Sequence, residues 1–78
     1  MKMLTPLNKL LPGQSGTIKK ILGTGKTRKR LLEMGFIPGQ QITVKKLAPL
    51  ADPVEFKLLG YHISLRREEA ATVLTQVC

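Results

Sequence analysis

Short runs of alternating apolar and polar residues, bounded by glycine or proline, constrain the fold of this chain most strongly. The clearest runs are Gln41–Leu47, Val54–Leu58 and Tyr61–Leu65. A period of two is typical of a strand with one buried and one exposed face. The Leu59-Gly60 step between the last two runs predicts a tight hairpin. We therefore expect a fold built mainly from short antiparallel strands.

The remaining segments add two strands and one helix to this prediction. Residues 15–22 and 72–77 are predicted strands, and the first should contain one irregular position because Ile18 and Ile21 break the alternation. Residues 26–34 predict a helix ended by Gly35. Single helical turns are predicted at 5–11 and 67–71, and a loop at 48–53. The expected fold is all-β with a short inserted helix, closed as a small antiparallel barrel in one domain, 1–78.

The composition fits one small core and an anionic partner. The 78 residues include three aromatics, and 13 Lys and Arg against 5 Asp and Glu give a net charge of +8. Phe56 and Tyr61 fall on the apolar positions of their strands, so both are expected in the core. A charge this high favours nucleic acid, a membrane surface or an acidic protein as partner.

The N-terminus and the single cysteine indicate the compartment. Cys78 has no second cysteine to pair with, which fits a reducing environment. The first residues lack the apolar run of about 7 to 15 residues of a signal peptide. We expect a cytoplasmic protein without direct membrane insertion, associated with the inner membrane only through a partner.

Short motifs suggest nucleotide binding, metal binding and catalysis, but the sequence supports none of the three well. The segment 23–27, Gly-Thr-Gly-Lys-Thr, resembles the end of a P-loop, but Lys20 stands where the first glycine of that motif belongs. His62 and Cys78 do not suggest a converging metal ligand set. Ser64 lies two residues from His62 without a third orienting group. We expect no enzyme, no metal site, no cofactor and no small-molecule substrate.

Basic residues leave nucleic acid binding as the alternative. Lys26, Arg28, Lys29 and Arg30 lie within five residues. Small basic barrels bind nucleic acid, but single-strand binders also present aromatic side chains for stacking. With both strand aromatics expected in the core, the charge has no stacking platform.

A set of short motifs resembles the FeoA family over residues 7 to 77. They are Leu11-Pro12-Gly13, Gly16, Arg30-Leu31-Leu32-Glu33-Met34-Gly35, Pro38-Gly39, Ala48-Pro49-Leu50 with Asp52-Pro53, Gly60, and Ile63-Ser64-Leu65-Arg66 with Glu69-Ala70. Ala51 departs from the pattern, because the family usually has glycine there. The resemblance implies an SH3-like barrel. It also implies a cytosolic accessory of FeoB, a ferrous iron permease with a cytosolic GTP-binding domain, and leaves open whether it affects nucleotide turnover, assembly or stability.

The predicted helix is the expected partner surface. At about 100° per residue, Leu31 and Met34 define one face and Leu32 lies on its shoulder beside Arg28. We expect the Leu31-Leu32 pair and the flanking Arg28, Lys29 and Arg30 to form part of this surface, because an apolar anchor with a charged rim resembles an interface. A tilt of the helix would exchange the roles of Leu31 and Leu32. Alternatively, both leucines belong to the core under the 48–53 loop.

Overall fold

The computed structural model describes residues 3–47 and 53–77, with only the backbone described at Lys46 and Leu47. Along the chain these residues form β1 (Thr5–Pro6), a short 3₁₀ helix (Leu7–Lys9), β2 (Ser15–Ile21), α1 (Gly25–Glu33), β3 (Gln41–Leu47), β4 (Val54–Leu58), β5 (Tyr61–Leu65), α2 (Arg67–Ala70) and β6 (Val73–Val77). Most of the predicted 48–53 loop, with Ala51, lies outside the described residues, as does Cys78.

The strands form one antiparallel sheet in the order β1-β6-β2-β3-β4-β5. Within the described part of the chain, β1 and β5 are the edge strands and do not pair with each other. Hydrogen bonds between these residues therefore do not close the sheet into a complete barrel. The expected irregularity in β2 is confirmed, because its register with β6 shifts between Ile18 and Lys20. A second shift lies between Val44 and Lys46. Such bulges increase the local twist and bend the sheet around its core.

The N-terminal segment differs from its prediction. The helical turn expected within residues 5–11 is present as the 3₁₀ helix Leu7–Lys9, but Thr5 and Pro6 do not belong to it and pair instead with Thr75 and Leu74 of β6. The buried Thr75 hydroxyl donates a 2.8 Å hydrogen bond to the Thr5 carbonyl. Pairing between residues 70 positions apart leaves no local signal in the sequence, which explains the miss.

The core is a single cluster of aliphatic side chains around Phe36 and Phe56, both fully buried. Ile18, Ile42 and Leu58 reach it from three successive strands of the sheet, and Leu31 reaches it from α1. Neighbouring strands bring these side chains together on one face of the sheet, where they pack with Leu31. The expected aliphatic core is therefore present.

Tyr61 corrects the expectation that both strand aromatics are core residues. Its side chain is 71% exposed, whereas Phe56 is fully buried. The alternation of β5 puts Tyr61 on the same face of the sheet as Leu58, its partner across the hairpin, as expected. However, β5 is an edge strand and Tyr61 begins it directly after the turn, so the tyrosine extends past the end of the core.

Candidate functional site

Helix α1 is fixed at its C-terminal end by backbone geometry and by one buried leucine. The N–H groups of Gly35 and Phe36 donate to the carbonyls of Leu32 and Leu31, at 3.1 and 3.0 Å. Gly35 has a φ of 101°, as the sequence predicted for the residue that ends this helix. This pair of bonds is a Schellman motif. It sends the chain back toward the core, where Phe36 is buried beside Leu31.

The outer side of α1 carries a shallow groove with a volume of about 380 Å³. Its lining residues are Gly25, Arg28, Lys29, Leu32 and Glu33. These positions follow the spacing of a single helix face. Leu32 is half-buried, and it supplies the apolar part of a surface otherwise lined by charged side chains. Gly25 has no side chain to close the N-terminal end.

The five residues predicted to bind a partner separate into three groups. Lys29 and Leu32 line the groove, and Arg28 lines it while its guanidinium donates a 3.1 Å hydrogen bond to the Ile21 carbonyl. Arg30 points to a different cleft. Leu31 is 0% exposed and belongs to the core cluster, so of the two adjacent leucines it is Leu32 that lines the groove. Leu31 orients the helix from the core side instead.

Arg30 belongs to a polar cleft between α1, α2 and the end of β5. Its guanidinium forms a 2.6 Å ion pair with Glu69, while the other carboxylate oxygen of Glu69 accepts the Arg66 N–H. The cleft has a volume of about 850 Å³ and is also lined by Thr24 and Ser64. Sequence reasoning missed this cleft, because Arg30 and Glu69 are 39 residues apart.

We expect Arg30→Ala to change the free energy of unfolding by less than about 1 kcal/mol, because the arginine side chain is 60% exposed and such pairs contribute little. Urea denaturation measures this change. Glu69→Ala should cost more, since it also removes the acceptor of the Arg66 N–H at the start of α2. An equal loss in the two variants would show that the ion pair, and not the helix cap, carries the effect.

Nucleotide binding, metal binding and catalysis each depend on particular residues of the sequence. Segment 23–27 leads into α1, but every strand pairing of the described sheet is antiparallel, whereas a P-loop follows a strand of a parallel sheet. His62 and Ser64 are exposed on β5. Across residues 3–47 and 53–77, no three His, Cys, Asp or Glu side chains come together in a way that could hold a metal. No helix among these residues is long and apolar enough to cross a bilayer.

Comparison with known proteins decides the family. The sequence profile of the FeoA domain matches residues 5–77. The chain belongs to the FeoA family. A curated FeoA relative is the Fe(2+) transport protein A/Fe(2+) transporter FeoB fusion protein of Porphyromonas gingivalis, 48% identical over 67 residues. The match covers 86% of this chain but 8% of that protein.

Solved FeoA structures share the fold. The FeoA-like protein of Clostridium acetobutylicum superimposes with a TM-score of 0.91 at 31% identity, covering 99% of this chain and 90% of that one. The zinc complex of Stenotrophomonas maltophilia FeoA, described as an SH3 domain protein, gives a TM-score of 0.81 at 22% identity, covering 95% and 89%. The fold is therefore SH3-like, as the resemblance implied.

Proposed function

We propose that this FeoA-family chain is a cytoplasmic accessory of ferrous iron uptake that binds the cytosolic region of a FeoB-type permease through the α1 groove. The observation that carries the proposal is the P. gingivalis relative, in which a matching domain is joined to a FeoB transporter in one polypeptide. Covalent fusion keeps two domains at high local concentration, which is useful when they work in contact. The same contact would hold the separate chain at the inner membrane.

The α1 groove supports this proposal by its composition. Leu32 is a half-buried apolar side chain, and Arg28 and Lys29 flank it on the same helix face. Interface anchors are commonly apolar or aromatic side chains inside a charged rim. The rim and the net charge of +8 would steer an acidic partner surface toward the groove.

The chain would act by contact and not by chemistry of its own. Among the described residues, the groove and the polar cleft contain no histidine or cysteine. Any change in GTP turnover, assembly or stability of the permease would then come from differential binding to its conformations.

We expect Leu32→Ala and Lys29→Glu each to weaken binding to the purified cytosolic region of the permease by about tenfold or more. Calorimetric titration measures the affinity. The melting temperature of Lys29→Glu should be nearly unchanged, because Lys29 is exposed, and Leu32→Ala should lower it only slightly.

Two substitutions outside the groove serve as matched controls. Leu11→Ala truncates an exposed leucine outside the groove, and Lys45→Glu reverses another exposed lysine. Both should bind as wild type does. Equal losses in the groove and control variants would point to a general charge or stability effect, and full affinity in both groove variants would move the interface elsewhere.

Nucleic acid binding is the second candidate, because the exposure of Tyr61 provides one aromatic side chain on the surface. Single-strand binders stack successive bases on several aromatics, whereas Phe36 and Phe56 are buried here. A salt-dependent oligonucleotide titration, run beside the permease titration, separates the two functions.

A further inference from the structure

The turn between β4 and β5 contains a leucine with an unfavourable backbone conformation and an exposed apolar side chain. Leu59 has a φ of 54° and Gly60 a φ of 83°. Two positive φ angles in a two-residue hairpin loop indicate a type I′ turn, which favours Asn-Gly or Asp-Gly. Leu59 is also 54% exposed. An apolar, β-carbon-bearing residue does not favour this turn, and about half of the surface of Leu59 is open to an outside contact.

Two more exposed apolar side chains belong to the same end of the sheet. Tyr61, 71% exposed, follows the turn directly, and Ile37 is 46% exposed. Ile37 lies in the loop from α1 to β3. That loop begins beside the turn, because a Cβ built on Gly35 would lie 3.1 Å from Leu59 Cδ1. A Cβ built on Gly60 would meet no atom within 4 Å, so the turn projects into open space.

Positive charge lies just behind this apolar tip, which we define as Ile37, Leu59 and Tyr61. Exposed Lys57 lies one row of the hairpin behind Leu58 and Tyr61, opposite His62. The sequence has no acidic residue between positions 56 and 67. Exposed Lys19 and Lys20 lie beside the Ile37 loop and not behind the tip, because they follow Ile18, whose backbone bonds Gly39 and Gln40 of that loop.

We propose that the apolar tip inserts into the headgroup region of an anionic phospholipid bilayer. Lys57 lies two residues behind Leu59, about 7 Å at the rise of an antiparallel strand. Interfacial segments bury their apolar face about 5 to 10 Å deep, which places Lys57 at the phosphates when Leu59 reaches the acyl boundary. Tyrosine is favoured at that depth, because its ring is apolar and its hydroxyl polar. Charge complementarity selects anionic lipid.

A membrane fits this tip better than a protein groove does. Leu59 and Tyr61 are exposed at the turn and Ile37 in the neighbouring loop, with Lys57 behind the turn and Lys19 and Lys20 beside the loop, an arrangement that suits a planar anionic surface. The contact rests on the proposed function, since a partner of a membrane permease works beside the bilayer. It departs from the expectation of no direct membrane insertion, which rested on the lack of an apolar, signal-peptide-like run at the N-terminus. The insertion is shallow and does not span the bilayer.

Tyr61 reports directly on the tip, because the chain has one tyrosine and no tryptophan. We expect the purified chain to co-sediment with vesicles of phosphatidylglycerol and phosphatidylcholine, and less with phosphatidylcholine alone. Brominated acyl chains in the anionic vesicles should quench its tyrosine fluorescence. Leu59→Asn should reduce partitioning by roughly tenfold while raising the melting temperature, since asparagine suits the turn and removes the apolar contact.

Leu11→Asn is the matched control, because Leu11 is 63% exposed outside the tip and should partition as wild type does. No vesicle binding, bound protein without quenching, or equal losses in the two variants would overturn the proposal. So would a Leu59→Asn protein that binds vesicles normally but loses affinity for the detergent-solubilised permease, which would make the tip a protein contact. Because the vesicles contain no permease, their result is independent of the groove titration.

Discussion

Leu31→Ala is expected to lower the free energy of unfolding by about 2 to 5 kcal/mol, the cost of truncating a buried leucine. Leu31 is 0% exposed and joins α1 to the core cluster with Phe36 and Phe56. A cavity there would loosen the helix that carries the groove. Because small domains are stable by only about 5 to 15 kcal/mol, the variant should be among the most damaging single changes in α1. Urea denaturation provides the measurement.

Leu32→Ala is the matched control, since it makes the same truncation one residue along the same helix. Leu32 is half-buried, so we expect a smaller loss of stability than at Leu31. If Leu31→Ala does not fold, Leu31→Met, which preserves volume, should cost less than about 1.5 kcal/mol. Equal losses in the two alanine variants would mean that both leucines are core residues, and the groove would lose its apolar anchor.

Gly16→Ala is expected to lower the free energy of unfolding by about 1 to 3 kcal/mol, the usual cost of an overpacked site. Gly16 lies in β2, paired with Ile42 on one side and Val77 on the other. An added Cβ would lie 3.0 Å from the Gln76 carbonyl oxygen and 3.3 Å from the Thr75 Cβ. A backbone oxygen can move only if β2 and β6 separate, so the clash weakens the pairing at the middle of the sheet.

Gly23→Ala tests the same substitution where there is room for it. The nearest atom to its added Cβ would be the Thr72 hydroxyl at 3.4 Å, an ordinary contact, so stability should hardly change. A loss of 1 kcal/mol lowers the melting temperature of a domain this size by about 4 to 8 °C, so thermal melts resolve the pair. Similar melting temperatures in the two variants would contradict the close approach at Gly16.

Local patterns were enough to predict most of the fold. Alternation placed β3, β4 and β5 at their observed bounds, and the unequal spacing of Ile18 and Ile21 marked the bulge in β2. These signals depend on which face of a strand is buried, and the alternation of apolar and polar residues along the strand indicates that face. The pairing of β1 with β6 depends on contacts between the two ends of the chain, and it had no such signal.

The candidate site was only partly predictable. Helical spacing separated Leu31 from Leu32, but which of them faces the core is decided by how α1 rests on the sheet. The partner of Arg30, Glu69, lies on another element and could not be inferred. Tyr61 was wrongly predicted to be a core residue, because alternation along a strand indicates which face a side chain lies on and not how far it lies from the core. The tight hairpin at Leu59-Gly60 was the exception, since the alternating runs on either side of it predicted the turn.

The central claim is that the outer face of α1 touches the permease, and site-specific photo-cross-linking tests it most directly. A photo-reactive amino acid in place of Lys29 samples the groove, and the same amino acid in place of Lys45 samples an exposed position on β3. We predict a cross-link to the cytosolic region of the permease from position 29 and none from position 45. Cross-linking from position 45 alone, or equally from both positions, would contradict the α1 groove as the binding site.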